Sequence, residues 1–302
     1  MRVAWALAAA VALATPVAAQ ELALTGEGPV EILADEAIEW RRDDQVVIAR
    51  GNARAMRGTT TVFADRLIAR YRDRQGAPAA AAAAGPAEAG EIWRLQAEGN
   101  VRIVGGNDRA EADRAVYALD RRVLVLTGRA LSLTNGADRV TARDALEYWA
   151  ERRMAVARGD AVITSENRRL EAETVVAYFV PEGTAPAPAG QAAAARGVPG
   201  ANRLERAEAF GDVRITTAEE VLRGDRGVYT PGDGIARIFG NVRITRGQNQ
   251  LNGAYGEVNL KTGVSRLMPA PGGRVAGMIV PEERRPPPPA DLPPAPAPGP
   301  RR

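Results

Sequence analysis

The 302-residue chain contains no cysteine and no histidine. Their absence excludes disulfide staples, Cys or His metal sites, thiol nucleophiles and Ser-His-Asp triads. Carboxylates and arginines remain as the available chemistry. Aromatic residues are only 5 % of the chain, so a core must rest on Val, Ile, Leu and Ala. Lys261 is the sole lysine, and nearly all of the 40 basic residues are arginine. Against 37 acids this leaves a formal net charge of +3. Acids are interspersed throughout and no basic stripe stands out, which argues against a nucleic-acid partner. The arginine bias fits a GC-rich coding sequence. It also fits an anionic partner, because guanidinium forks grip phosphate in two places. With 45 % hydrophobic and 25 % charged residues, the composition is globular.

The first 19 residues read as an export signal. Met1-Arg2 is a short positive start, Val3 to Thr15 is an Ala-rich apolar run, and Val17 and Ala19 fit a small-residue cleavage site. An uncleaved anchor is the alternative, but the run is shorter than the roughly 20 residues a helical span needs. With no cysteine after the run, a lipoprotein is excluded. The expected location is the periplasm.

The rest of the chain repeats with a period of about 30 residues. One half-unit reads apolar, small, acid, then apolar: ILADEAIEW (32–40), VFADRLIARY (62–71), AEADRAVYAL (110–119), VTARDALEYW (140–149), LEAETVVAYF (170–179) and LRGDRGVYT (222–230). The other half-unit centres on glycine and a polar residue, as in AEGNVRIV (97–104), AFGDVRITT (209–217) and IFGNVRITR (238–246). Two Ala/Pro/Gly-rich segments, about 75–90 and 181–202, interrupt the repeat at the same phase and read as exposed loop insertions. Residues 269–302 read as a Pro-rich disordered tail, which leaves 20–268 as the folded domain.

Both half-units alternate with period 2, one face apolar and the other charged, as strands require. In the first type the apolar phase jumps by three or four after the small residue, which predicts a mid-strand bulge or bend. In the second, Gly-Asn or Gly-Asp marks a kink. Two strands in each of about seven repeats predict an all-β stack of roughly 14–16 strands. Seven layers at about 4.8 Å extend roughly 34 Å. The stack has two open ends, each an unpaired edge that invites edge-to-edge addition. The recurring Asp35, Asp65, Asp113 and Asp225 form a ladder rather than a catalytic pair, and read as turn or edge structure. The small residues at repeated positions fit either tight sheet-on-sheet packing or a channel. No catalytic residue, cofactor or metal site is predicted, and the glycines of GVPGAN and VGGN do not form a phosphate-binding loop.

The repeat of Ala-Asp followed by Tyr, then Gly-Asn-Val-x-Ile, behind an export signal resembles the OstA-like family. The best copies are Ala64-Asp65 through Tyr71, Gly99-Asn100-Val101-Arg102-Ile103 and Gly240-Asn241-Val242-Arg243-Ile244, and the resemblance covers about Ile32 to Met268. It implies a twisted, open β-jellyroll of the LptA type that shields the acyl chains of lipid A. Such a protein passes lipopolysaccharide from the inner to the outer membrane and is not an enzyme. Implied partners are lipopolysaccharide, the inner-membrane-anchored LptC and the outer-membrane LptD, with head-to-tail self-association through sheet edges. The implied lipid-binding positions are Ile32, Ile38, Val62, Ile68, Val101, Ile103, Val116, Leu126, Val176, Val213, Ile215, Val242 and Ile244. Arg102, Arg214 and Arg243 either meet lipid phosphates or form a solvated strand face. The chain departs from the pattern in its length, its two insertions and its tail. An exported structural or adhesive repeat protein and a β-helix carbohydrate-active enzyme are the alternatives, and lipid binding discriminates among the three.

Overall fold

The computed structural model describes residues 30–73, 90–136, 138–165, 168–180, 203–259, 262 and 264–278. All regular structure among them is β-strand. Two short strands, β1 (Glu31–Leu33) and β2 (Ala37–Arg41), precede four long ones: β3 (Val46–Arg57), β4 (Thr60–Asp73), β5 (Gly90–Gly105) and β6 (Asp108–Ala118). Four short strands occupy the middle: β7 (Val123–Thr127), β8 (Leu131–Asn135), β9 (Asp138–Ala142) and β10 (Ala145–Trp149). Six long strands follow: β11 (Met154–Ser165), β12 (Arg168–Val180), β13 (Arg203–Thr217), β14 (Val221–Thr230), β15 (Ile235–Arg246) and β16 (Asn249–Asn259). The last are β17 (Val264–Met268) and β18 (Ala276–Met278).

Each long strand pairs antiparallel with its neighbour in sequence. The short strands pair two to a long one: β1 and β2 on β3, β7 and β8 on β6, β9 and β10 on β11, β17 and β18 on β16. Eighteen strands therefore fill fourteen stacked positions, within the expected range. Both strands of a repeat take successive positions, so each repeat adds two spacings rather than one. At about 4.8 Å per position the stack is roughly 60 Å long, not 34 Å.

The bend predicted at Gly-Asn is present, and its geometry explains the motif. Gly99 and Asn100 take consecutive left-handed conformations, φ 75° and 48°. Together they face the single Asp113 of β6, a two-for-one bulge that turns the strand. A Cβ at Gly99 would lie 2.1 Å from Asp65 Oδ2, so only glycine fits. The second place takes Asn or Asp, which tolerate this conformation best among residues with side chains. The same left-handed pair recurs at Gly51-Asn52, Gly159-Asp160, Gly211-Asp212 and Gly240-Asn241. The acids of the ladder hold these corners. Asn52 Nδ2 donates to Asp35 at 2.9 Å, Asn100 to Asp65 at 2.9 Å and Asn241 to Asp225 at 3.0 Å. Aligned bends fold the sheet on itself, leaving one apolar interior between two halves.

The fold reaches past Met268. Ala276–Met278 pairs with β16, so the first part of the expected tail belongs to the sheet. The rest of the tail, the export signal and all of the two insertions except Gly90 lie outside the described residues. The strand ends flanking both insertions lie on one rim, beside the turns 42–45, 119–122 and 150–153.

Candidate functional site

Beside the bend, the interior row is small and tight. It runs through Ala53, Ala64, Val101, Ala112, Ala142, Ala161, Ala172, Val213 and Val242, all buried. Ala53 and Ala161 are 0 % exposed. The repeated small residues thus serve close packing at the corner. Farther from it the halves separate. Between β1 and β7 they enclose an apolar chamber of about 920 Å³, counting its open mouth, lined by Ile32, Val47, Val62, Leu67, Leu95 and Ile103 among others.

The expected lipid-facing residues divide into four groups. Ile32, Val62 and Ile103 line the chamber. Val101, Leu126, Val213 and Val242 are buried in the main core, with Ile215 and Ile244 packed against it. Ile38 shares a row with the chamber residue Ala49 but is 54 % exposed, because β2 is a free edge. Val116 and Val176 are corrections, because they stand on the outer face. Ile68 also lines the chamber, where it clusters with Val46 and Ile48 and pairs in register with Gln96, another lining residue. Val116 continues the row of Gln96, and Val176 pairs with Glu208. The cause is the bend. Asp65 and Arg66 both point outward at the corner, so the inward phase resumes three residues after Ala64, at Leu67. Ala115 and Val175 take the equivalent places, and both belong to the main core.

The three arginines expected at lipid phosphates are also on the outer face. Arg102 stacks on Phe63, its guanidinium carbon 4.5 Å from the ring centroid. Arg214 lies 3.7 Å from Glu171, and Arg243 faces Arg223 across the strand pair. None of them lines the chamber. Arg57 does, and the sequence reading missed it. Its signal was there: Arg57 continues the inward alternation of Ala53 and Ala55 to the end of β3.

Polar groups gather on the outer face and rims. Arg66 and Arg114 flank Glu98, and Arg206 and Arg226 flank Glu208. Hydrogen bonding to Arg41 holds the Glu39 carboxyl below its ordinary range. At the rim of the second half, Asp108, Asn135 and Asp138 follow one another in register. Burial pushes the Asp108 carboxyl up, opposed by the Asn135 amide. Among the described residues no group of three acids could hold a metal ion.

The sequence matches the family described as LptA/(LptD N-terminal domain) LPS transport protein twice, over residues 31–152 and over 139–264. An uncharacterized protein of Rhizobium meliloti strain 1021 is 27 % identical over 128 residues, 42 % of this chain. The match spans 64 % of that relative, slightly under two thirds of its length. Among solved structures, the chain is similar to LptH, the LptA-homologous periplasmic component of the lipopolysaccharide transport device of Pseudomonas aeruginosa. That similarity is at 16 % identity and TM-score 0.37, covering 48 % of this chain and 95 % of LptH. Matched twice along its folded length, this all-β chain belongs to the family of LptA and LptD N-terminal-domain lipopolysaccharide transport proteins.

Proposed function

We propose that the chain is an exported periplasmic bridge segment that shields the acyl chains of lipid A and passes lipopolysaccharide from the inner toward the outer membrane. The apolar chamber between the two halves of the bent sheet carries this reading. Burying a methylene contributes about 0.8 kcal/mol, so partial insertion of a few acyl chains suffices for binding. Handover favours such shallow, repeated binding over one deep trap. Arg57 at the end of β3 is the arginine that a lipid phosphate at the chamber would meet. The free edges β1/β2 and β17/β18 would join the chain to LptC, to LptD or to further copies of itself.

The test is photo-crosslinking of lipopolysaccharide to the purified chain after removal of residues 1–19. Crosslinkers replace Leu67, Leu95 and Ile103 inside, or Arg102 and Arg214 outside. Adducts at the three inner sites alone are expected. A folded protein that gives no adduct anywhere, or equal adducts on both faces, overturns the proposal.

A further inference from the structure

On the outer face, just beside the corner, one row of residues crosses the strands in register. In the first strands it runs Arg50, Arg66, Glu98 and Arg114. These charges satisfy one another: Arg66 and Arg114 lie 3.6 and 3.8 Å from Glu98. From β13 to β17 the same row runs Phe210, Arg226, Phe239, Tyr255 and Met268. The phase is unchanged. Glu98, Phe210 and Phe239 each precede a left-handed corner glycine, and each follows a core residue, Ala97, Ala209 and Ile238. The Phe239 and Tyr255 rings lie 5.0 Å apart, and the Arg226 guanidinium carbon lies 5.1 Å from the Phe210 centroid. Phe210 is 37 % exposed and Met268 38 %. A charged row suits water. An aromatic row in the same place leaves an apolar strip for something to cover.

We infer that the chain's own Pro-rich end covers this strip, with residues 286–296 lying across β17 to β13 as a polyproline II helix. Such helices dock on exposed aromatic side chains, because they are already extended and lose little entropy on binding. The described chain stops at Met278. Residues 279–302 carry ten of its 21 prolines, among them the run Pro286–Pro289, then Pro293, Pro294 and Pro296. This surface does not touch the chamber, so the inference stands apart from the bridge reading.

Reach and spacing agree with that occupant. Met278 pairs with Gln250, five residues along β16 from Tyr255, about 17 Å. Residues 279–285 extend about 22 Å at about 3.1 Å each, enough to bring Pro286 to the row. Phe210 and Phe239 stand two strands apart, with β14 between them, about 9.6 Å. One turn of polyproline II is three residues, about 9.3 Å. Pro286 and Pro289 therefore match that spacing on one face of the helix, as do Pro293 and Pro296. The whole row from Met268 to Phe210 is four strand spacings, about 19 Å, which about six residues of such a helix cover.

The test places benzoylphenylalanine, itself aromatic, at Phe210 or, as the control in the charged part of the row, at Arg66. Each full-length chain, freed of residues 1–19, is irradiated when dilute with no lipopolysaccharide present, and adducts in the monomer are mapped by mass spectrometry. Position 210 is expected to attach to residues 286–296 at least tenfold more than position 66. Replacing Pro286, Pro287, Pro288 and Pro289 with glycine keeps the reach but removes the stiff helix, and is expected to lower the yield at position 210 about tenfold. A folded chain with no such adduct, or with equal adducts at both positions, overturns the inference. Adducts only between chains assign the strip to a second copy and overturn it too. An unchanged yield in the glycine variant overturns the polyproline mode. Lipopolysaccharide capture is measured separately on the same chains: its loss refutes the bridge reading and leaves this inference standing.

Discussion

At Gly99 a single hydrogen decides the shape of a strand. A Cβ there would sit 2.1 Å from Asp65 Oδ2 in a backbone with φ 75°, so Gly99→Ala combines strain with a clash. A destabilisation of about 1–3 kcal/mol is expected in urea unfolding, with the β spectrum retained. Asp108 gives a pH dependence. Its carboxyl is raised by burial, so the fold favours the neutral acid. That contribution is present below the unfolded value, about 3.9, and is lost as pH rises through the higher folded value. Asp108→Asn is therefore expected to raise the urea midpoint over the natural chain at pH 7 and to match it near pH 3. Arg57 tests the chamber: Arg57→Ala is expected to lower lipopolysaccharide affinity about tenfold, the scale of one charge-assisted contact, while Arg102→Ala leaves it unchanged. Titration of the folded variants against labelled lipopolysaccharide measures both.

Strands are where the repeat was legible and where its phase went astray. The alternation in IFGNVRITR and AEGNVRIV shows both the strand and its kink. In the partner half-unit, Ala64 is followed by Leu67 and Ile68, both apolar, and alternation alone does not decide which points inward. The corner decides, because the strand turns there and two successive residues face out. The chamber was therefore expected at Val116 and is lined at Ala115 instead, while at the first corner both Leu67 and Ile68 line it. Ile103, 2 % exposed, anchors the long strand β5 inside the second half. Ile103→Ala is expected to cost about 2–5 kcal/mol by thermal or urea unfolding.

Among the described residues the molecule is a stack open at both ends, and its main apolar core runs from β4 to β15. A ligand that binds only the folded stack stabilises it by mass action. At a lipopolysaccharide concentration 100-fold above Kd, unfolding is expected to require about 2.7 kcal/mol more, read as a higher calorimetric Tm. A lipid held only on the outer face of a strand would give the same shift in Arg102→Ala and in Arg57→Ala. A chamber ligand gives it in the first and a reduced shift in the second.

Composition, the glycine-centred repeat and period-2 alternation determined by themselves that this chain is an all-β stack with a bend in each repeat. These features are local: a left-handed pair, a corner acid and an apolar stripe are each written within a few residues. Only the tertiary structure decided which of two adjacent apolar residues faces the chamber, that Arg57 rather than Arg102 lines it, and that the middle of the chain repeats the form of its two ends. Those outcomes depend on register between strands distant in sequence. Register is set by bulges and by pairing across the whole sheet, which no single repeat contains.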